Sequence, residues 1–140
     1  MHRWLPTLLL MIFFRVHAES CPRLEGTFHC RSTPAFDISV QNGYKNELPT
    51  YTFTDPTGIR DIVADGAFHE LKIQNGEGQY SAHCENRRLL VEAHAPNGEI
   101  YHERYYIERA ALVRMRLSQN QPPAVLSCAP TRGTWENYPH

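Results

Sequence analysis

The chain has no apolar run long enough to cross a membrane as a helix. Its longest such stretch, Leu5 to Phe14, is about half of the ~20 residues required, so no transmembrane segment is expected. It also lacks an excess of charge of one sign. With 14 Lys plus Arg against 15 Asp plus Glu, it has neither the basic balance that nucleic acid requires nor the basic tract that anionic lipid attracts. Paired Cys-x-x-Cys spacing is absent, which excludes the common zinc sites. There is no Gly-x-Ser-x-Gly elbow, no phosphate-cradling P-loop and no His-Glu-x-x-His. Gly76-Glu77-Gly78 echoes a dinucleotide loop, but it joins two strand-like segments where that chemistry needs a helix N-terminus, and it reads as a turn. In so short a chain these absences argue against an enzyme and against a bound cofactor. No Asn-x-Ser/Thr occurs, so glycosylation gives no hint about the host.

What is present begins with an export signal. His2 and Arg3 give a basic start, Leu5 to Phe14 an apolar core, and Val16-His17-Ala18 small residues at a cleavage position. The expected organisation is a signal peptide over 1–18, one domain over 19–130 and a flexible tail over 131–140. Removing Arg3 and Arg15 leaves 12 basic against 15 acidic side chains. The rival reading is a lipoprotein anchored at Cys21, although Glu19 stands where such a signal prefers a small or apolar residue. All four cysteines, Cys21, Cys30, Cys84 and Cys128, lie beyond the signal. An even count in an exported chain implies two disulfides and a secreted or periplasmic address.

From Arg23 onward, segments rich in β-branched and aromatic residues alternate with turn residues, and no window of 11 or more residues carries a helical apolar stripe. Strands are expected over 24–31, 35–41, 49–54, 67–74, 79–85, 88–95, 99–108, 111–118 and 124–129, with room for a short one at 59–64. Turn type fixes register, and register fixes which side chains share a face. Ala95-Pro96-Asn97-Gly98 suits a type I turn with a left-handed glycine, pairing Ala93 with Tyr101, Val91 with Glu103 and Leu89 with Tyr105. A two-residue turn at Asn86-Arg87 sets Cys84 opposite Leu89, Ala82 opposite Val91 and Tyr80 opposite Ala93. A loop within Asn75 to Gly78 adds His69, Leu71 and Ile73 to this apolar face, and alternation adds Val113, Met115 and Leu117. The opposite face receives Ser81, His83, Glu85, Glu92, His94, His102, Arg104, Arg114 and Arg116.

One apolar and one charged face over consecutive strands predicts an all-β antiparallel meander of 8–10 strands closing into a small disulfide-bonded β-barrel, because closure removes exposed edges. In size, export signal, meander and the Gly26-Thr27-Phe28 opening strand, the chain resembles the calycin barrels, the lipocalins and fatty-acid-binding proteins. Lipocalins carry Gly-x-Trp where this chain has Phe28, so their ligand residues do not transfer. Phe28-His29-Cys30 and the late cysteine are similar to small periplasmic barrels that inhibit lysozyme.

Two polar residues fall on the apolar face. Glu103 lies between Tyr101 and Tyr105, and His69 lies beside Leu71 and opposite the Ala82 to Cys84 stretch. A carboxylate inside a sheet costs several kcal/mol unless it is paired, by roughly the desolvation penalty. The functional expectation is a lumen lined by Tyr51, Tyr80, Tyr101 and Tyr105, in which Glu103 and His69 orient a small apolar or amphipathic guest. The alternative is a filled core and a protein-binding or inhibitory module acting through loops such as Gly43 to Pro49 or Asp55 to Gly66. In a filled core, Glu103→Leu is expected to be neutral or stabilising. If the last strand closes against the first, residues near 21 meet residues near 130, which predicts Cys21–Cys128 and Cys30–Cys84 bridges. On the charged face, Glu92, His94 and His102 are metal-ligand types but read as a solvated cluster. Asp55, Asp61 and Asp65 fit no known calcium spacing.

Overall fold

The computed structural model describes residues 21–73 and 76–131, with residues 72 and 73 described through their backbone alone. The expected signal peptide and all but the first residue of the expected tail lie outside the described residues. Ten strands follow one another: β1 (Gly26–Cys30), β2 (Phe36–Lys45), β3 (Leu48–Asp55), β4 (Gly58–Val63), β5 (Phe68–Ile73), β6 (Gly76–Glu85), β7 (Arg88–His94), β8 (Ile100–Glu108), β9 (Ala111–Ser118) and β10 (Gln121–Pro130). They form one antiparallel sheet in the order β4-β3-β2-β1-β10-β9-β8-β7-β6-β5, which curls into a nearly closed barrel. The first strand thus pairs with the last, as the meander implies, and the seam lies between β4 and β5.

Turns explain both what was legible and what was not. Gly98 takes φ 84° and its N–H bonds to Ala95 O at 3.0 Å, so β7 and β8 pair as expected, with Val91 opposite Glu103. Asn46-Glu47, Asn86-Arg87 and Arg109-Ala110 all have positive φ at both residues, the backbone of two-residue type I′ hairpins. The third of these carries no Asn-Gly or Asp-Gly signature. It pairs Tyr105 with Arg114, Glu103 with Arg116 and Arg104 with Met115. The expected alternation on β9 is therefore inverted. Leu112, Arg114 and Arg116 share the face of Glu103, whereas Val113, Met115 and Leu117 lie on the outer face.

A second correction concerns β5. It pairs with β6 so that His69 faces Tyr80, rather than the Ala82 to Cys84 stretch, and Leu71 faces Gly78. This differs from the expected register by an even number of positions, so His69 and Leu71 keep their face; the Ile73 side chain lies outside the description. Gly76 to Gly78 are the first residues of β6 and not a turn. A Cβ on Gly78 would sit 2.7 Å from His94 O, so its glycine serves close approach of backbone. At the seam, the Gly66 N–H bonds to Ala82 O at 2.7 Å and the Ala64 N–H to Pro49 O at 2.9 Å, tying the β4–β5 link to both sides.

The disulfides are Cys21–Cys84 and Cys30–Cys128, the reverse of the predicted pairing. The strand order behind that prediction holds, but its register does not. Phe28 pairs with Pro130 and Cys30 with Cys128, so the bridge joins directly opposed residues with Cα atoms 4.2 Å apart. Cys21 lies before β1 and reaches β6 instead. The segment 21–25 crosses the barrel end: Cys21 is bonded to Cys84, Tyr51 donates to Pro22 O at 2.6 Å, and Leu24, fully buried, donates its N–H to Asn42 Oδ1. Burial of the Leu24 side chain contributes about 1.5–3 kcal/mol to holding this strap. A sulfur committed to Cys84 is not available for a lipid thioether, which counts against anchoring at Cys21. No helix among the described residues is long and apolar enough to cross a membrane.

Candidate functional site

The site is built from β8 upward. Strand alternation and the Pro96-Asn97-Gly98 turn aim Tyr101, Glu103 and Tyr105 at the interior, where Glu103 is 4% exposed. The β9 register brings two cations to the same carboxylate. Arg116 Nη2 donates to Glu103 Oε2 at 3.2 Å, and Arg114 Nε lies 3.6 Å away. Tyr105 donates its hydroxyl to the same oxygen at 3.1 Å. Burial, with the Glu103 charge beside it, pushes the Tyr105 hydroxyl well above the usual tyrosine range. Burial alone would lower the Arg116 guanidinium, but the Glu103 charge and hydrogen bond outweigh it and hold the group more firmly protonated. Arg116 also lies over the Tyr101 ring, 4.8 Å from its centroid. Across the barrel, Phe53 meets Tyr105 with ring centroids 4.8 Å apart, and Arg60 pairs with Asp55 at 3.0 Å.

Tyr101, Glu103 and Tyr105 are thus brought together, but around a cavity of only about 20 Å³ shared with Phe53, Arg60 and Leu71. That is room for one water, whereas small-molecule pockets span roughly 300–1,000 Å³. The remaining predicted lining residues sit elsewhere. His69 stacks on Tyr80 at 5.3 Å and contacts Asp65 Oδ2 at 2.8 Å beside the seam. Tyr80 accepts the Val63 N–H at 3.1 Å, and Tyr51 is spent on Pro22 O beneath the strap. Asp65 is partly buried, which would raise its carboxyl, but hydrogen bonds from His69 and the Ala67 N–H outweigh this and hold it low. The residues that sequence reasoning missed are Arg60, Arg114 and Arg116. Counting back from a two-residue turn at Arg109-Ala110 would have found the latter two.

The three acidic side chains of the Asp55 to Asp65 stretch have separate partners: Arg60 for Asp55, Thr52 for Asp61 and His69 for Asp65. On the outer face, Glu92 Oε2 lies 3.3 Å from His94 Nε2, and Glu92 Oε1 lies 3.9 Å from His102 Nε2. The His94 approach is too oblique for a hydrogen bond and leaves that nitrogen buried without a partner. Among the described residues no group of three His, Cys, Asp or Glu side chains could hold a metal ion.

Large apolar side chains do reach solvent. Tyr44 is 75% exposed and Leu48 38% at the β2–β3 hairpin tip, and Ile59 is 70% exposed on β4. Phe68 and Val125 are exposed on the outer wall. No protein-family model matches this chain, and no curated protein is significantly similar to it.

Proposed function

We propose that this protein is an exported, non-enzymatic protein-binding module that uses its surface and not its lumen. The observation that carries the reading is how little space surrounds Glu103 among the described residues. The cavity beside Glu103 is about 20 Å³, and the hydroxyls of Tyr51, Tyr80 and Tyr105 are each engaged within the protein. A carrier needs a lumen and polar groups free to orient a guest; an inhibitory or adaptor module needs neither. The exposed Tyr44, Leu48 and Ile59 lie within 43–49 and 55–66, the two stretches that the sequence offers to a partner, at strand positions beside the β2–β3 and β3–β4 turns. Aromatic side chains at interfaces contribute disproportionately to binding. The two disulfides cross-link the barrel that presents this surface and suit an oxidising compartment. The test is site-specific photo-crosslinking in the native host, with the reactive residue at Tyr44 or Ile59 and, as control, at the exposed Gln121 at the start of β10. A discrete adduct from Tyr44 or Ile59 and none from the control supports the reading. Native mass spectrometry showing a stoichiometric small molecule in the purified protein would overturn it.

A further inference from the structure

The sheet order ends at β4 on one side and at β5 on the other, and no backbone pairing joins the two strands among the described residues. Closing the seam by continuing the link between them would pair Val63 with Phe68 and therefore Asp61 with Glu70. Two carboxylates would then stand directly opposite one another on the outer face, which destabilises a strand pair. The consequence shows on β5. His69 and Leu71 face inward yet are only half-buried, whereas Tyr80 and Ala82 of the adjoining β6 are buried. Phe68 is 54% exposed, and Glu70 is exposed. Strand edges are commonly blunted by a proline, a bulge or an inward-pointing charge. β4 has such a charge in Arg60, which shares the inward row of Phe53. β5 has no proline and no bulge, since its register with β6 runs unbroken from Phe68 opposite Ser81 to Ile73 opposite Gly76.

We propose that the free edge of β5 pairs with β5 of a second copy of this chain, antiparallel about a two-fold axis, so that one sheet runs on across the interface. The charge pattern of the strand selects this occupant. Centred on Leu71, the pairing sets Glu70 opposite Lys72 of the second copy and Lys72 opposite Glu70 of the second copy, with Leu71 meeting its own counterpart. Centring on Glu70 or on Lys72 would put like charges on the axis, and a centre nearer either end would leave much of the strand unpaired. A centre between two residues would bring inward positions against outward ones. The edge thus repels its own β4 through Glu70 and accepts its own copy through Glu70 and Lys72. An interface of this kind uses the same patch on both subunits and closes at the dimer.

The test is sedimentation velocity on the disulfide-bonded protein, from micromolar concentration up to about 1 mM, where an association of only about 4 kcal/mol still registers. Glu70→Lys, Lys72→Glu and the two combined are measured beside the parent, each first shown to melt like it. Expected is a monomer–dimer equilibrium whose dissociation constant rises roughly tenfold or more in either single variant, because the two-fold axis turns both symmetry-related pairs repulsive. The combined variant, which restores opposite charges across the axis, should return to the parent's value. A dimer indifferent to the single variants, or not restored by the combination, overturns the proposal. Growth past the dimer, or a dimer that Asp61→Lys abolishes and Glu70→Lys spares, also overturns it, since β5 would then pair with β4 of the next copy. A parent that stays monomeric throughout overturns it as well and leaves the edge to a strand of another protein.

Discussion

Arg116 Nη2 donates to Glu103 Oε2 at 3.2 Å inside the barrel, and this contact changes what replacement of Glu103 should do. Without the arginines, a buried lone carboxylate would be better replaced by leucine. With them, Glu103→Leu strands two cations and removes the Tyr105 acceptor, so it should destabilise by roughly 1–3 kcal/mol. The lower part of that range is expected because the Arg116 and Arg114 side chains are 39% and 26% exposed. Glu103→Leu combined with Arg114→Met and Arg116→Met should recover most of the loss. Urea denaturation of the two variants checks this, and a stable Glu103→Leu single variant would show that the pairing contributes nothing.

Ala110→Gly should stabilise the protein by about 0.5–1 kcal/mol, because Ala110 holds φ 65° in the β8–β9 turn and only glycine adopts that region without steric cost. The sign is diagnostic. In any turn with negative φ at this position, glycine would instead cost about 0.5–1 kcal/mol of chain entropy. A thermal melt therefore reads the register that brings Arg114 and Arg116 inside.

Stability should fall on the alkaline side through the buried tyrosines. Burial raises the hydroxyls of Tyr51, Tyr80 and Tyr105. A group whose folded pKa lies above its unfolded value contributes fully below the unfolded value, about 10 for tyrosine, and loses that contribution as pH climbs through the folded one. Melting temperature should hardly change from neutrality to about pH 9 and decline beyond about pH 10. Tyr51→Phe should melt lower at neutral pH, by about 1 kcal/mol for the lost bond to Pro22 O, yet show a shallower alkaline decline. Equal slopes for parent and variant would locate the alkaline loss elsewhere.

Sequence alone determined the β-barrel class, nearly every strand, the β6–β7–β8 register and the inward aim of Glu103. These follow from local physics: period-two alternation, and turn residues such as Pro96-Asn97-Gly98 whose backbone preferences are strong. Three things waited for the tertiary structure. The Arg109-Ala110 turn adopts positive φ without a residue that advertises it, since packing of two long strands overrides the local preference, and one unseen turn reverses a whole strand's faces. The Cys30–Cys128 bridge depends on a β1–β10 register set by residues 98 apart in sequence, and Cys21–Cys84 on the path of the strap before β1, neither of which a local pattern encodes. How much space remains beside Glu103 depends on the sum of side-chain volumes brought there from different strands, and Phe53 and Tyr105, with ring centroids 4.8 Å apart, help to leave a cavity of about 20 Å³.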